Sequence, residues 1–425
     1  MESRVLRAHF RFGHIGTPVD KLQKRVLKLM QTCPETEDGS KLGFWKRLVL
    51  AQDLSHPWLE VNNQLCINGY MSDRIRAVCT KRRLNNEQSA AVVHFFFHLA
   101  PVVIGPPGTG KSPLVAAINE LLEEFKMAYW VCSESNAAVD VLAEKLAKEK
   151  NDKQAEGFLR VWPAFSEGHK CDQSAVDVGL SWNDSGVKSD TDDTRILSLE
   201  QTIQGDQLRS FGSAHDQLAS PPEENKETDG GYEEYLEDLR TKFHDALRAL
   251  QVGYAATSKG ILSTAAAASR PFLRRFRPHA LLMAESSQMT EARAVHPIVL
   301  AAQSRLDRVL IIGDPKQLPA AIFSLRNIFT EYGKRSLMER LISAVLRLIT
   351  LAEQYRMHPS ISSIINSTIY NGKLRDGSTV RAREHDAGSQ NFLAQLATRS
   401  KTLFNTATSS IIISLERRAD FHFGS

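Results

Sequence analysis

Two short stretches carry residue types that can do chemistry. The first, "GPPGTGKS", runs from Gly105 to Ser112 and has the spacing GxxxxGK[ST] between a short apolar run and an amphipathic one. In such a turn, backbone N–H groups and the positive end of the following helix wrap phosphates. Lys111 reaches the β and γ phosphates of a nucleotide, and Ser112 offers its hydroxyl to magnesium. The candidate phosphate-binding residues are therefore Gly105, Pro106, Pro107, Gly108, Thr109, Gly110, Lys111 and Ser112. Pro113 is sterically acceptable in a first helical turn but removes an N–H from it, so some loss of nucleotide affinity is expected.

The second stretch, "ALLMAESSQMTEA" from Ala280 to Ala292, has the outline of a buried strand ending in an acid, Glu285. Phosphoryl transfer needs little beyond positioning and neutralisation of charge on the γ oxygens. A lysine, a metal, a water-orienting carboxylate and an arginine form a sufficient set. The position before the acid, where a site of this kind usually keeps an aspartate for its metal, is Ala284. Magnesium normally keeps several waters and few protein ligands, so nucleotide phosphates and Ser112 could still carry it. Turnover is expected to be slower by on the order of 10² to 10⁴ fold.

These residues need elements to hold them. "PVVIGPPGTGKS" precedes a run in which Leu114, Ile118, Leu121, Leu122 and Phe125 share one helical face. "MAYWVCSES" precedes another, with Val139, Leu142, Ala143 and Leu146 in register. "GILSTAA", "HALLMAESSQ" and "RVLIIGDPKQLP" follow later. Strands alternating with helices predict an α/β fold with a parallel sheet covered on both faces and function at the carboxyl ends of its strands. Asp314, in an Asp-Pro pair after one of those strands, is expected to cap the turn. His358 and Pro359 are expected to start a helix with Ile361, Ile364 and Ile365 on one face.

Composition narrows the class without naming it. The chain has 425 residues, 42% hydrophobic and 24% charged, and no apolar run approaches the roughly 18 residues needed to cross a bilayer. The charged start, "MESRVLRAHFRF", is unlike a secretory signal. Five cysteines without a CxxC pair argue against a disulfide framework or a zinc site. An intracellular location, nuclear or cytoplasmic, is expected. A net charge of +4 is too small to indicate nucleic-acid binding by itself. The charge is uneven, however: Asp172 to Asp238 holds 17 acidic residues against four basic ones, which predicts an acidic, partly disordered insertion over 151–250.

Several ordered motifs resemble superfamily 1 helicases of the branch containing the nonsense-mediated-decay helicase and senataxin. "LNNEQ" at Leu84 to Gln88 resembles the Q motif, and "SNAAVD" at Ser135 to Asp140 resembles motif Ia. "AESSQ" at Ala284 to Gln288 is similar to the family's DEASQ, "GDPKQLPA" at Gly313 to Ala320 to motif III, and "QYRMHP" at Gln354 to Pro359 to motif IV. The resemblance implies a P-loop RecA-like lobe over 84–150 and 251–325, a remnant of an accessory region over 1–83, and a partial second RecA-like lobe over 326–425. It implies ATP and Mg²⁺ as cofactors and single-stranded RNA or DNA as partner, with no membrane. It further implies that Gln88 reads the adenine edge and Tyr355 stacks on the ring. Glu285 would activate the attacking water, Gln317 would sense the γ phosphate, and Arg356 would serve as an arginine finger. Ser135, Asn136, Ser263 and Thr264 would contact the nucleic-acid backbone.

Two departures qualify what the resemblance implies. One is Ala284. The other lies after "IYNGKLRDG", where the family's motif V turn and arginine-bearing motif VI find no match in this sequence. The expectation is an ATP-dependent helicase or translocase with weakened hydrolysis. The alternative is a non-hydrolysing pseudo-helicase that binds nucleotide or docks on nucleic acid.

Overall fold

The computed structural model describes residues 69–148, 158–161, 251–321, 333–344 and 348–381, with single positions at 45, 48, 49 and 249. Most of the accessory remnant expected over 1–83, most of the acidic insertion and the second lobe beyond residue 381 lie outside the described residues. The chain divides into two compact units. One takes in Met1–Gly105 and Lys111–Leu351, the other Pro106–Gly110 and Ala352–Ser425.

The first unit is built on a seven-stranded, all-parallel sheet in the order β3-β4-β2-β5-β6-β1-β7. Its strands are β1 (Val102–Ile104), β2 (Tyr129–Ser133), β3 (Phe158–Val161), β4 (Gly260–Thr264), β5 (Ala280–Met283), β6 (Arg308–Gly313) and β7 (Leu348–Thr350). Successive strand residues point to opposite faces, and both faces are buried. Val102, Trp130, Leu281, Val309 and Ile311 therefore join one core, and Val103, Val131, Leu282, Leu310 and Ile312 the other. Helices α1 (Gly69–Lys81), α2 (Asn86–Phe97), α3 (Lys111–Glu124) and α4 (Asn136–Lys148) cover the second core. Helices α5 (Glu291–Ala302) and α6 (Leu337–Ser343) cover the first. This is the α/β arrangement predicted from the alternating pattern.

The compact unit that holds the sheet extends to Leu351, whereas the resemblance implies a first lobe ending at residue 325. Beside β6 the only open edge of β1 is taken by β7, with Val102 opposite Leu348 and the Leu351 N–H donating to the Ile104 carbonyl at 2.8 Å. A three-residue strand preceded by a short helix gives too little periodicity for the sequence to assign it to either lobe.

Local chemistry fixes the helix ends. Asn85 and Gln88 form a reciprocal capping box at the start of α2, an arrangement worth about 1 kcal/mol. At its far end the Arg308 guanidinium donates to the Phe96 carbonyl at 3.0 Å and lies over the Phe95 and Phe96 rings. Burial pushes the Arg308 pKa down to about 10. Arg74 pairs with Glu124, and Lys81 and Arg82 pair with Glu120, tying α1 to α3.

In the second unit, β8 (Glu353–Gln354) pairs in parallel with β9 (Arg375–Asp376), and α7 (Pro359–Thr368) connects them. His358 caps α7, accepting the Ser360 N–H on Nδ1, and Pro359 takes the first helical position, as the sequence pattern predicts. Ile361 and Ile364 on that helix are exposed.

Candidate functional site

Three features converge at the carboxyl ends of β1, β5 and β6. Gly105 at the end of β1 donates its N–H to the Gly313 carbonyl at 2.8 Å. A Cβ on Gly313 would sit 2.9 Å from the Ser287 nitrogen and 2.9 Å from the Met338 sulfur, so only glycine lets β6 approach the turn after β5 this closely. That approach places the Asp314 N–H on the Ser287 hydroxyl at 3.2 Å. Asp314 is fully buried and caps its turn as expected, accepting the Lys316 N–H at 3.0 Å and the Gln317 side-chain amide at 3.1 Å. The amide of Gln317 is thereby fixed beside the end of β6.

Lys111 begins α3. Its ammonium donates to the Gly105 carbonyl at 2.8 Å and lies 3.5 Å from the Glu285 carboxylate. Glu285 adopts a left-handed backbone, φ 51° and ψ 40°, a conformation costing about 1 kcal/mol for a residue with a Cβ. One of its carboxylate oxygens is buried with no hydrogen-bond partner. Ala284 beside it is 7% exposed and belongs to the apolar core, so its side chain offers no oxygen there. Ser112 is half-buried in the first turn of α3.

The loop residues Pro106–Gly110 group with the second unit. Gly108 and Gly110 have φ of 77° and 85°, which L side chains rarely adopt. Left-handed residues alternating with ordinary ones aim successive backbone N–H groups at a common anion. Thr109 is buried, its hydroxyl donating to the Pro106 carbonyl at 2.7 Å. The Tyr355 N–H donates to the Gly108 carbonyl at 2.9 Å, and a Cβ on Gly108 would lie 2.7 Å from that of Arg356. The "QYR" turn therefore packs on the glycine loop itself. Its exposed arginine is Arg356.

Sequence reasoning missed what holds that turn. Gln354 is fully buried. It accepts the N–H groups of Arg356 and Met357 at 2.9 and 2.7 Å and donates to the Met357 carbonyl at 2.9 Å and to Asp376 at 2.6 Å. Asp376 also accepts the Ser362 hydroxyl at 2.6 Å. The signal available was Gln354 itself, an amide inside a motif whose notice went to Tyr355 and Arg356.

A second cluster lies at the carboxyl end of β2. Ser135 is exposed and accepts the Ala138 N–H on its hydroxyl at 3.2 Å, capping α4. Asn136 accepts an N–H of Arg160 at 3.0 Å. Arg160, only 1% exposed, also pairs with Asp140 at 2.8 Å and donates to the Val161 carbonyl at 2.7 Å. Glu134 pairs with Arg293 of α5. Burial pushes the Glu134 carboxyl above the ordinary glutamate range, and Arg293 only partly offsets that. Ser263 and Thr264 were expected beside Ser135 and Asn136, but the structure turns both inward. The Ser263 hydroxyl accepts the Trp130 indole N–H at 2.8 Å, and the Thr264 hydroxyl accepts the Ala267 N–H at 3.1 Å. The reason is that β4 is an interior strand between β3 and β2, so short polar side chains at its end satisfy neighbouring buried donors.

Gln88 is buried, and its side chain accepts the Asn85 N–H at 3.0 Å in the capping box. Among the described residues no cluster of three or more His, Cys, Asp or Glu could hold a metal. The left-handed Gly108 and Gly110 suit a turn that offers backbone N–H groups to an anion.

The AAA domain family matches residues 83–325, and a second AAA domain match covers residues 333–416. Among curated proteins, the chain is 28% identical over 303 residues to the regulator of nonsense transcripts 1 homolog of Arabidopsis thaliana, covering 71% of this chain and 21% of that protein. It is 27% identical over 377 residues to the ATP-dependent helicase upf1 of Schizosaccharomyces pombe, covering 87% and 35%. It is 27% identical over 315 residues to the putative ATP-dependent RNA helicase ECM32 of Saccharomyces cerevisiae, covering 73% and 24%. The chain thus spans about a fifth to a third of the length of these relatives. No described helix is long and apolar enough to cross a membrane.

Proposed function

We infer that this chain, a member of the AAA domain family, is a superfamily 1 helicase of the branch that includes regulator of nonsense transcripts 1. We propose from this that it binds ATP in the Gly105–Ser112 loop and couples slowed hydrolysis to movement on single-stranded RNA or DNA inside the cell. The observation that carries the reading is the Lys111–Glu285 pair next to Ala284.

Lys111 is held by a carbonyl and a carboxylate that a phosphate can replace, and doing so releases Glu285 to accept a proton from water. Arg356 and Gln317 would add positive charge and an amide to the γ oxygens, Tyr355 would stack on the base, and Gln88 would read its edge. When bound, magnesium would neutralise phosphate charge, and Ser112 is the protein group suited to hold it. With Ala284 offering no oxygen, ion placement falls to the phosphates themselves, and hydrolysis is expected to run 10² to 10⁴ fold slower, roughly, than with an acid there. The exposed Ser135 and the half-buried Asn136 would meet the nucleic-acid backbone through short polar groups, which position a strand without reading its sequence.

Ala284 also supports a second reading, in which the chain binds nucleotide without hydrolysing it and serves as a docking module. Phosphate release with ATP, Mg²⁺ and single-stranded RNA or DNA separates the two. Slow release by the wild type, raised at least tenfold by Ala284→Asp and abolished by Lys111→Ala, supports the helicase reading. Nucleotide binding that depends on Lys111, with silent hydrolysis in both the wild type and Ala284→Asp, supports the docking module.

A further inference from the structure

The carboxyl end of β2 carries an arrangement that the expected nucleic-acid contacts do not use. Glu134 is the residue just before Ser135. Its side chain is 19% exposed, and one of its oxygens is buried without a hydrogen-bond partner. The other oxygen receives Nη1 of Arg293, from the first turn of α5, 159 residues away in sequence. The Arg293 side chain is 53% exposed, and among the described residues no other acceptor is assigned to its guanidinium. The planar group therefore has one edge tied to a carboxylate and keeps donors for a second acceptor.

A lone carboxylate at this place would repel a polyanion. The Glu134–Arg293 pair cancels that charge, and the tie to a partly buried acid limits the rotamers of a long side chain that would otherwise lose entropy on binding. Glu134 is adjacent in sequence to the exposed Ser135, and the buried Arg160 holds Asn136 and Asp140 just beyond it. The turn is thus tied by two arginines, of which Arg293 is the more exposed.

We propose that Arg293, held by Glu134, is a further contact to a phosphodiester of single-stranded nucleic acid, extending the row that Ser135 and Asn136 begin. The inference rests on the nucleic-acid reading given above. It assigns Arg293 to the backbone alone, so it adds affinity and salt dependence without sequence preference.

The test is fluorescence anisotropy of the full chain with a labelled single-stranded oligonucleotide, RNA and DNA in turn, titrated at several salt concentrations. Arg293→Ala is expected to weaken binding severalfold and to lower the slope of log affinity against log salt by about 0.7, the value for one phosphate contact on a single strand. Arg293→Lys should keep the slope, because the charge remains. The thermal midpoint of Arg293→Lys should stay near that of the wild type, since the pair with Glu134 is kept, and binding by Arg293→Ala is measured well below its own midpoint. A wild type that binds, is weakened by Asn136→Ala and is indifferent to Arg293→Ala overturns this inference alone. A well-folded wild type that binds neither oligonucleotide overturns the nucleic-acid reading and the inference together.

Discussion

The turns after β5 and after β2 both end buried strands of one sheet and both place a glutamate beside a cation, yet they are held very differently. After β5, Glu285 and Lys111 stand 3.5 Å apart, with a strained backbone under the acid and one of its oxygens unsatisfied. After β2, the buried guanidinium of Arg160 bonds Asp140, Asn136 and the Val161 carbonyl, and Glu134 is in direct contact with Arg293. Loosely paired groups with stored strain suit a place where partners must be exchanged during turnover. A buried cation held by three partners suits a place that must keep one shape, even though one Glu134 oxygen there is unsatisfied as well. The first turn should therefore govern rate and the second stability.

Substitution at the loose turn gives the largest expected effect. Glu285→Gln should lower nucleic-acid-stimulated phosphate release by on the order of 10² to 10⁴ fold while leaving the urea midpoint unchanged, because the pair it breaks is long. A variant that loses several kcal/mol of stability instead would erase the distinction between the turns. At the fixed turn the sign of the contrast reverses. Arg160→Leu removes a buried cation with three partners and should cost about 3 kcal/mol of unfolding free energy by urea titration, since Asn136 and Asp140 lose the group that joins them.

Gly313→Ala probes the approach on which the loose turn depends. Its new Cβ would press on the Ser287 nitrogen and the Met338 sulfur, and a loss of about 1 to 3 kcal/mol is expected. Nucleotide affinity measured calorimetrically should fall as well, because β6 can no longer hold Asp314 against Ser287. An unchanged midpoint would mean that β6 shifts freely.

The smallest effect concerns a pair far from either turn and serves as the baseline for both. Burial raises the Glu120 carboxyl, but hydrogen bonds from Lys81 and Arg82 outweigh it and leave the pKa below its ordinary 4.5. The stability that Glu120 contributes is therefore present above about 4.5 and lost as pH falls through the lower, folded value. Wild type should exceed Glu120→Gln slightly in urea titrations at pH 7, and the gap should close on acidification below pH 4.5. A gap independent of pH would show that packing of the side chain matters more than its charge.

Much of this was legible along the chain. The glycine turn between β1 and α3, the strand before Glu285, the Asp314 cap and the His358–Pro359 helix start are patterns of a few adjacent residues, and the structure forms each of these elements where its spacing predicts. Ser263 and Thr264 were not legible. A hydroxyl at a strand end reads the same whether it faces solvent or a buried indole, and only the position of β4 inside the sheet distinguishes them. The strand β7 escaped for a related reason: three residues carry too little pattern to show which edge they will join.

By itself, the sequence determined the alternation of strands and helices, the glycines that permit a left-handed loop, and the replacement of an acid by Ala284, because each is a matter of local spacing or identity. Tertiary structure alone decided that Glu134 would find Arg293, that Arg160 would bridge Asn136 and Asp140, and that Lys111 would lean on Glu285. In a parallel sheet every neighbouring strand arrives through a crossover connection. The partners of a strand-end side chain are therefore set by strand order, which no local pattern records.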